Sequence, residues 1–189
     1  VNSRSTPKVF DEVWNVDLLG PYHPSLEGEK YTCVFVESFT GWLFIVHLVR
    51  KNDYALIALP RWMEQRKQHL ELYQKRYEDT TLQLKGLAHP ELKEAFPDSD
   101  IKYTNLRMDN AKELCGTAAK KYYSKNKVLF ETCSAGKDDH AHRAEIAIKT
   151  LQRMALSSLF GAKLDVVFKD GKGKNRSLFT YALDMAASI

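Results

Sequence analysis

Three carboxylate residues stand at positions that hydrophobic patterning alone does not explain. Asp17 lies inside an apolar segment, Asp109 ends a second strand-like segment, and Glu145 lies near the start of an amphipathic helix. A carboxylate in a central strand costs free energy unless something compensates its charge. A hard divalent cation such as Mg²⁺ is one effective compensation. Two such ions about 4 Å apart can support phosphoryl transfer.

Each of the three carboxylates also has an ordinary structural explanation. Asp17 could face solvent on an edge strand, and Asp109 could be the N-cap of a helix. Glu145 could be an exposed residue that complements the helix dipole in the first turn. None of the three residues is a specific signal by itself. The sequence around all three must therefore distinguish a metal site from ordinary structural roles.

The first half of the chain has the pattern of three strands. Val13–Leu19 is apolar and stops at a Gly-Pro pair, Lys30–Glu37 alternates, and Trp42–Val49 is a nearly continuous apolar run. A continuous run predicts a strand buried on both faces. The short connection at Thr40-Gly41 is typical of a tight turn. We therefore predict an antiparallel meander.

A long charged segment follows the three strands. Asn52-Asp53 can cap a helix, and residues 54–77 have apolar residues at helical spacing among many charges. Residues 64–97 are the most charged part of the chain, which usually indicates a solvated helical face. We interpret them as a helical insertion within one domain that covers residues 1–189.

The second half of the chain alternates between strand and helix patterns. We predict strands at Ile101–Asp109 and Lys127–Thr132, helices at Asn110–Ser124, Asp139–Phe160 and Ser177–Ile189, and a flexible basic turn at Lys169–Lys174. Three antiparallel strands followed by strand–helix units indicate an α/β layer fold with a mixed sheet.

Composition excludes several classes of protein. The chain has 189 residues and a net charge of +4, which permits an acidic partner without requiring one. The cysteines are three in number and form no C-x-x-C pair, so we expect neither a disulfide framework nor a cysteine-rich zinc site. No apolar run approaches 18 residues, and we expect no membrane association. Because the chain begins with Val1 rather than Met, we expect it to be a piece of a longer protein.

Three motifs around the carboxylates resemble the catalytic core of retroelement integrases. Asp17-Leu18-Leu19-Gly20-Pro21 resembles the D-x-x-G-P segment, residues 107–114 (RMDNAKEL) resemble R-x-D-N-x-x-E-[FL], and residues 142–151 (HRAEIAIKTL) resemble G-V-A-E-R-x-x-[RK]-T-[LI]. Residues 110–144, 35 positions, separate the second Asp from the Glu, which is the interval of that superfamily. The residue pattern of the motifs is most similar to that of the integrases of copia-type LTR retrotransposons. In these elements the integrase is released from a Gag–Pol polyprotein.

The resemblance implies an RNase H-like fold with a five-stranded mixed sheet flanked by helices. It also implies that Asp17, Asp109 and Glu145 are catalytic and hold two Mg²⁺ or Mn²⁺ ions, with Asp17 bridging them. The implied reactions are trimming of the element's DNA 3′ ends and transfer of each 3′-hydroxyl into target DNA. The implied partners are double-stranded DNA ends, target DNA and further copies of the chain. The implied location is the nucleus, and before nuclear import the protein would be part of a cytoplasmic particle.

Helical spacing adds candidates for DNA contact. Glu145, Lys149 and Gln152 lie at positions i, i+4 and i+7, so they share one helix face. Lys149 is placed for a DNA phosphate and Gln152 for a base or sugar, with Arg153 beside them. Lys149 and Arg153 could equally be ordinary surface residues.

Departures from the family pattern keep two alternatives open. His142-Arg143 replaces the usual Gly-Val, and Ile146 replaces the usual Arg after the Glu. A domesticated or degenerate DNA-binding module without catalysis is one alternative. Another RNase H-like nuclease, such as a transposase or an RNase H, is the second.

Overall fold

A single mixed sheet organises the chain. The computed structural model describes residue 7 and residues 10–83, 104–133 and 142–188. The strands of the sheet are β1 (Val13–Leu19), β2 (Tyr31–Glu37), β3 (Leu43–Leu48), β4 (Thr104–Asp109) and β5 (Val128–Cys133), in the spatial order β3-β2-β1-β4-β5. The first three strands pair antiparallel, whereas β1 with β4 and β4 with β5 pair parallel. The predicted five-stranded mixed sheet and its meander are confirmed.

Helices cover both faces of this sheet. They are α1 (Ala58–Gln83), α2 (Lys112–Cys115), α3 (Thr117–Lys125), α4 (His142–Gly161) and α5 (Phe179–Ala187), with a 3₁₀ turn at Lys51–Tyr54 before α1. One core lies under α1, α2 and α3 and is centred on Trp14, Phe35 and Trp62. The other lies under α4 and α5 and includes Val34 and Leu151.

Strand alternation assigns side chains to the two cores. In β1, Trp14 and Val16 belong to the core under α1, and Leu19 packs against the core under α4 and α5. Because successive side chains point to opposite faces, Asp17 lies on the α4 face of the central strand. Leu106 and Met108 of β4 are likewise in the α1 core. Asp109 therefore shares the α4 face.

Two sequence predictions about elements were wrong. The apolar run at Trp42–Val49 is not buried on both faces: β3 is an edge strand whose residues are mostly half-buried. The helix predicted at Asn110–Ser124 is two helices, which break at Gly116. A Cβ at Gly116 would stand 2.7 Å from the carbonyl oxygen of Lys112, so only glycine permits this close passage of the chain.

The basic segment at Lys169–Lys174 is also more ordered than predicted. It forms the end of an antiparallel hairpin, in which β6 (Val167–Lys169) pairs with β7 (Asn175–Ser177). Sequence patterning missed both strands because each has three residues, fewer than an alternating pattern needs to stand out.

The charged insertion falls only partly within the described residues. Residues 64–83 belong to α1, and residues 84–97 lie outside the described part of the chain. Its assignment as an insertion within one domain stays a prediction. Within the described ranges, none of the helices combines the length and apolar character needed to span a bilayer.

Candidate active site

The parallel pairing of β1 with β4 brings Asp17 and Asp109 to adjacent positions. The register pairs Val13 with Asn105 and continues to Val16 with Met108. Asp17 and Asp109 are the next residues on their strands, and neighbouring strands lie about 4.8 Å apart. Two carboxylates separated by 91 intervening residues, 18–108, therefore meet at the carboxyl edge of the sheet on one face.

Backbone groups orient both aspartates. The amide of Leu18 donates to Oδ1 of Asp17 at 2.7 Å, and the amide of Ala111 donates to Oδ1 of Asp109 at 3.0 Å. The thiol of Cys115 donates to the carbonyl oxygen of Asp109 at 3.6 Å. These bonds fix the end of each strand and engage Oδ1 of each carboxylate, and no hydrogen bond from the described residues reaches either Oδ2.

The backbone conformation explains why the motif has glycine at position 20, three residues after Asp17. Gly20 has φ +121°, and a Cβ there would stand 2.5 Å from the carbonyl oxygen of Lys30. No other residue type fits that backbone and that close approach together. Gly20 thereby lets the chain turn toward β2 immediately beyond the strand that holds Asp17.

Glu145 reaches the same face from α4. The helix packs on β1 and β2 and carries Glu145 in its first turn, where the helix dipole favours a carboxylate. Oε2 of Glu145 lies 3.6 Å from Nζ of Lys149, and both side chains are exposed. The predicted common face of Glu145 and Lys149 is therefore present.

The pKa of Asp17 depends on both other carboxylates. Burial raises the pKa of Asp17 above its ordinary value of 3.8, and the Leu18 amide opposes that rise. The negative charges of Asp109 and Glu145 raise the pKa of Asp17 further. Like charges that repel one another across a site are the condition that a bound cation relieves.

The three carboxylates are suitable ligands for a hard divalent cation, but they are not close enough together to bind one ion. All three side chains offer carboxylate oxygens, which Mg²⁺ and Mn²⁺ accept. Among the residues that the structure describes, no three His, Cys, Asp or Glu side chains converge closely enough to ligate one ion. Glu145 instead pairs with Lys149. Ligation by all three carboxylates would require the Glu145 side chain to move closer to Asp17 and Asp109.

The remaining residues predicted to contact DNA lie along α4. Lys149 and Arg153 are exposed and Gln152 is half-buried. Lys149 forms an ion pair with Glu145, and Gln152 and Arg153 lie further along the same helix. Their contact with DNA stays a prediction.

Asn110 does not cap the helix that follows it. Ala111 is the N-cap residue of α2, and no side chain donates or accepts at that cap. The backbone amide of Ala111 instead donates to Oδ1 of Asp109, because the N-cap of α2 lies two residues after the aspartate.

Sequence analysis missed a polar network on the sheet face that holds Asp109. Oε1 of Glu131 accepts from Nδ2 of Asn105 at 2.7 Å, and Oε2 accepts from Nε of Arg107 at 3.3 Å. This network ties β5 to β4 on the face that holds Asp109. The signal was the alternation of polar residues at 105, 107 and 109, which marks one face of a strand.

The comparisons with known proteins agree with this architecture. No protein-family model matches the chain, and no curated protein matches it. Among solved structures, a chain of a simian T-cell lymphotropic virus intasome in complex with PP2A regulatory subunit B56 gamma matches with TM-score 0.55 and 11% identity. The match covers 97% of this chain and 49% of that chain, so this chain spans about half its length.

Two integrase catalytic core domains also match. The HTLV-2 domain, in complex with magnesium in a trimeric form, has TM-score 0.50 and 10% identity over 95% of this chain and 84% of that one. The BIV domain has TM-score 0.50 and 12% identity over 94% and 81% of the respective chains. The chain therefore has the fold of a retroviral integrase catalytic core.

Proposed function

We propose that this chain is the catalytic core of a retrotransposon integrase. It would trim the 3′ ends of the element's DNA and join them to target DNA in the nucleus, as part of a self-associated complex. The observation that carries the proposal is the placement of Asp17 and Asp109 on neighbouring strands of the sheet face that α4 covers, with Glu145 near enough that its charge and that of Asp109 raise the pKa of Asp17. The shared fold with integrase cores supports it.

Each carboxylate has a defined task in this proposal. Asp17 and Asp109, held by backbone amides at the sheet edge, would bind a divalent cation with Glu145 as the third ligand. The cation, Mg²⁺ or Mn²⁺ and in two copies by family resemblance, would activate the attacking oxygen and stabilise the leaving oxygen. Lys149 now neutralises Glu145, and a DNA phosphate would compete for its ammonium group.

A branched DNA that mimics the joined product tests the proposal. We expect the unchanged chain to cut and reseal this DNA with Mn²⁺ and, more slowly, with Mg²⁺. Glu145→Gln should lose at least about 100-fold of that activity, because it removes a charge at the transition state. Glu71→Gln, an identical change at an exposed position on α1, should keep full activity. Equal activity of the two variants would remove Glu145 from the site.

A DNA-binding module without catalysis is the second candidate. The observation that favours it is the Glu145–Lys149 ion pair, together with the absence of a converged three-ligand group among the described residues. A chain of this kind would bind duplex DNA with the same affinity whether or not Mn²⁺ is present. It would leave the branched DNA uncut.

A further inference from the structure

The β6–β7 hairpin is an ordered basic projection. Residues 169–176 (KDGKGKNR) contain four basic residues and one acid. Lys169, Lys172 and Lys174 are exposed, and none of them forms an ion pair with a residue that the structure describes. Three ammonium groups within six residues are therefore available to an anionic partner.

Asp170 holds the turn of the hairpin in one shape. Its Oδ1 accepts from the amides of Lys172 and Lys174, each at 2.9 Å, and its Oδ2 accepts from Nε of Arg176 at 2.9 Å. The Arg176 bond, with the turn amides, lowers the pKa of Asp170, which keeps it ionised. Asp170, the acidic residue of this segment, is thereby paired within the hairpin. The lysines are displayed at a smaller entropic cost than on a free loop.

The hairpin is anchored at the carboxyl edge of the sheet. The amide of Ser177 donates to the carbonyl oxygen of Pro24 at 2.8 Å, and Arg176 donates to that of Ser25 at 3.3 Å. Residues 20–30 connect β1 to β2 directly beyond Asp17 and continue their antiparallel pairing, since the Tyr22 amide donates to the Lys30 carbonyl. The hairpin therefore projects on the side of the sheet where the carboxylates end their strands.

Alternation within the hairpin directs its charge outward. Phe168 and Arg176 are opposite one another and half-buried, so they form the inner face. Lys169 and Asn175 are the next opposite pair and are exposed. In an antiparallel pair, directly opposite residues share a face. Lys169 at the end of β6 is thus exposed to solvent.

We propose that this hairpin binds the phosphate backbone of the duplex DNA that enters the carboxylate site, with Lys169, Lys172 and Lys174 each contacting a phosphate. The inference rests on the proposed function and extends it to a second DNA-contacting element outside α4. Because ammonium groups contact phosphates without reading bases, the hairpin would contribute affinity without sequence preference.

A charge-matched pair of variants tests the inference. Lys169→Gln/Lys172→Gln/Lys174→Gln removes the hairpin charges. Lys120→Gln/Lys121→Gln/Lys125→Gln removes three exposed charges from α3, on the other face of the sheet. Affinity for a fluorescent duplex end is measured over a salt series. The hairpin triple should bind about tenfold or more weakly, with a salt slope smaller by about 2 to 3. The α3 triple should change that slope by less than about 1.

A single variant isolates the ordered shape of the hairpin. Asp170→Asn removes the ion pair with Arg176 while it raises the net charge by one. We expect it to bind DNA more weakly than the unchanged chain, although simple charge attraction predicts stronger binding. Stronger binding, or equal effects of the two lysine triples, would overturn the inference while leaving the proposed function intact. Absence of DNA binding by the unchanged chain would contradict the proposed function itself.

Discussion

Asp17 is held in an environment that opposes its charge. Burial and the charges of Asp109 and Glu145 raise its pKa, so its ionised form destabilises the folded protein relative to the unfolded chain. Below its ordinary pKa of 3.8 the carboxyl is protonated in both states and the penalty vanishes. The penalty develops as pH rises through the higher folded-state pKa and is complete above it.

Asp17→Asn should therefore stabilise the fold at neutral pH. We expect its melting temperature at pH 7 to exceed that of the unchanged chain by a few degrees, as about 1 kcal/mol produces in a domain of this length. The gain should fade as pH falls through the raised folded-state pKa and should be absent below pH 3.8. Asp165→Asn, on an exposed connection, is the control and should change little at either pH. A lower melting temperature for Asp17→Asn at pH 7 would contradict this account of the site.

Lys149 balances two roles at one position. It pairs with Glu145 in the free protein, and we propose that it also contacts DNA. Lys149→Ala should weaken binding of DNA ends and reduce the salt slope by about one phosphate contact. Salt-dependent anisotropy measures this change, with Lys125→Ala on α3 as the control. An unchanged slope for Lys149→Ala would place that lysine outside the DNA contact.

At the scale of elements, a buried ion pair between Arg66 and Asp11 holds α1 against the sheet. Arg66 donates from Nε to the carboxylate of Asp11 at 2.6 and 2.8 Å and also contacts Thr104. Asp11 is 0% exposed, and Nε1 of Trp14 donates to it as well. Removing Arg66 would leave a buried carboxylate without its cation, which is costlier than losing a surface ion pair.

Arg66→Ala should lower the free energy of unfolding by about 3 to 5 kcal/mol. Urea denaturation measures the change, and Arg61→Ala at an exposed position on the same helix should cost less than about 0.5 kcal/mol. A similar small cost for both variants would show that Asp11 is compensated by Trp14 and Thr104 alone.

Local patterning predicted long elements and failed at short or broken ones. Val13–Leu19 was predicted with the observed bounds because its apolar run ends at a strong turn signal. The break at Gly116 depends on contact with Lys112 four residues earlier, and the hairpin depends on Pro24 and Ser25 far away in sequence. Hydrophobic periodicity carries no signal for the close backbone approach of Gly116 to Lys112, and the contacts of the hairpin with Pro24 and Ser25 lie outside any local window. Burial of β3 likewise depended on its place at the sheet edge.

At the scale of the whole molecule, the topology brings the candidate site together. Asp17, Asp109 and Glu145 belong to a central strand, its parallel neighbour and the helix that packs over β1. Motif resemblance selected these residues, because sequence spacing alone left each with an ordinary structural explanation. The parallel register that sets Asp17 beside Asp109 is a tertiary property. The Glu145–Lys149 ion pair followed from helical spacing, as i,i+4 pairs do.

Binding of Mn²⁺ to the purified chain tests the central claim most directly. Calorimetric titration of the unchanged chain is compared with Asp17→Asn, Asp109→Asn and Glu145→Gln, and with Glu71→Gln as an exposed control. If the three carboxylates form one cation site, each of the first three variants should bind at least about tenfold more weakly, about 1.4 kcal/mol, while the control matches the unchanged chain. Equal Mn²⁺ affinity in all five proteins, or no binding by the unchanged chain, would contradict a metal-dependent site at these residues.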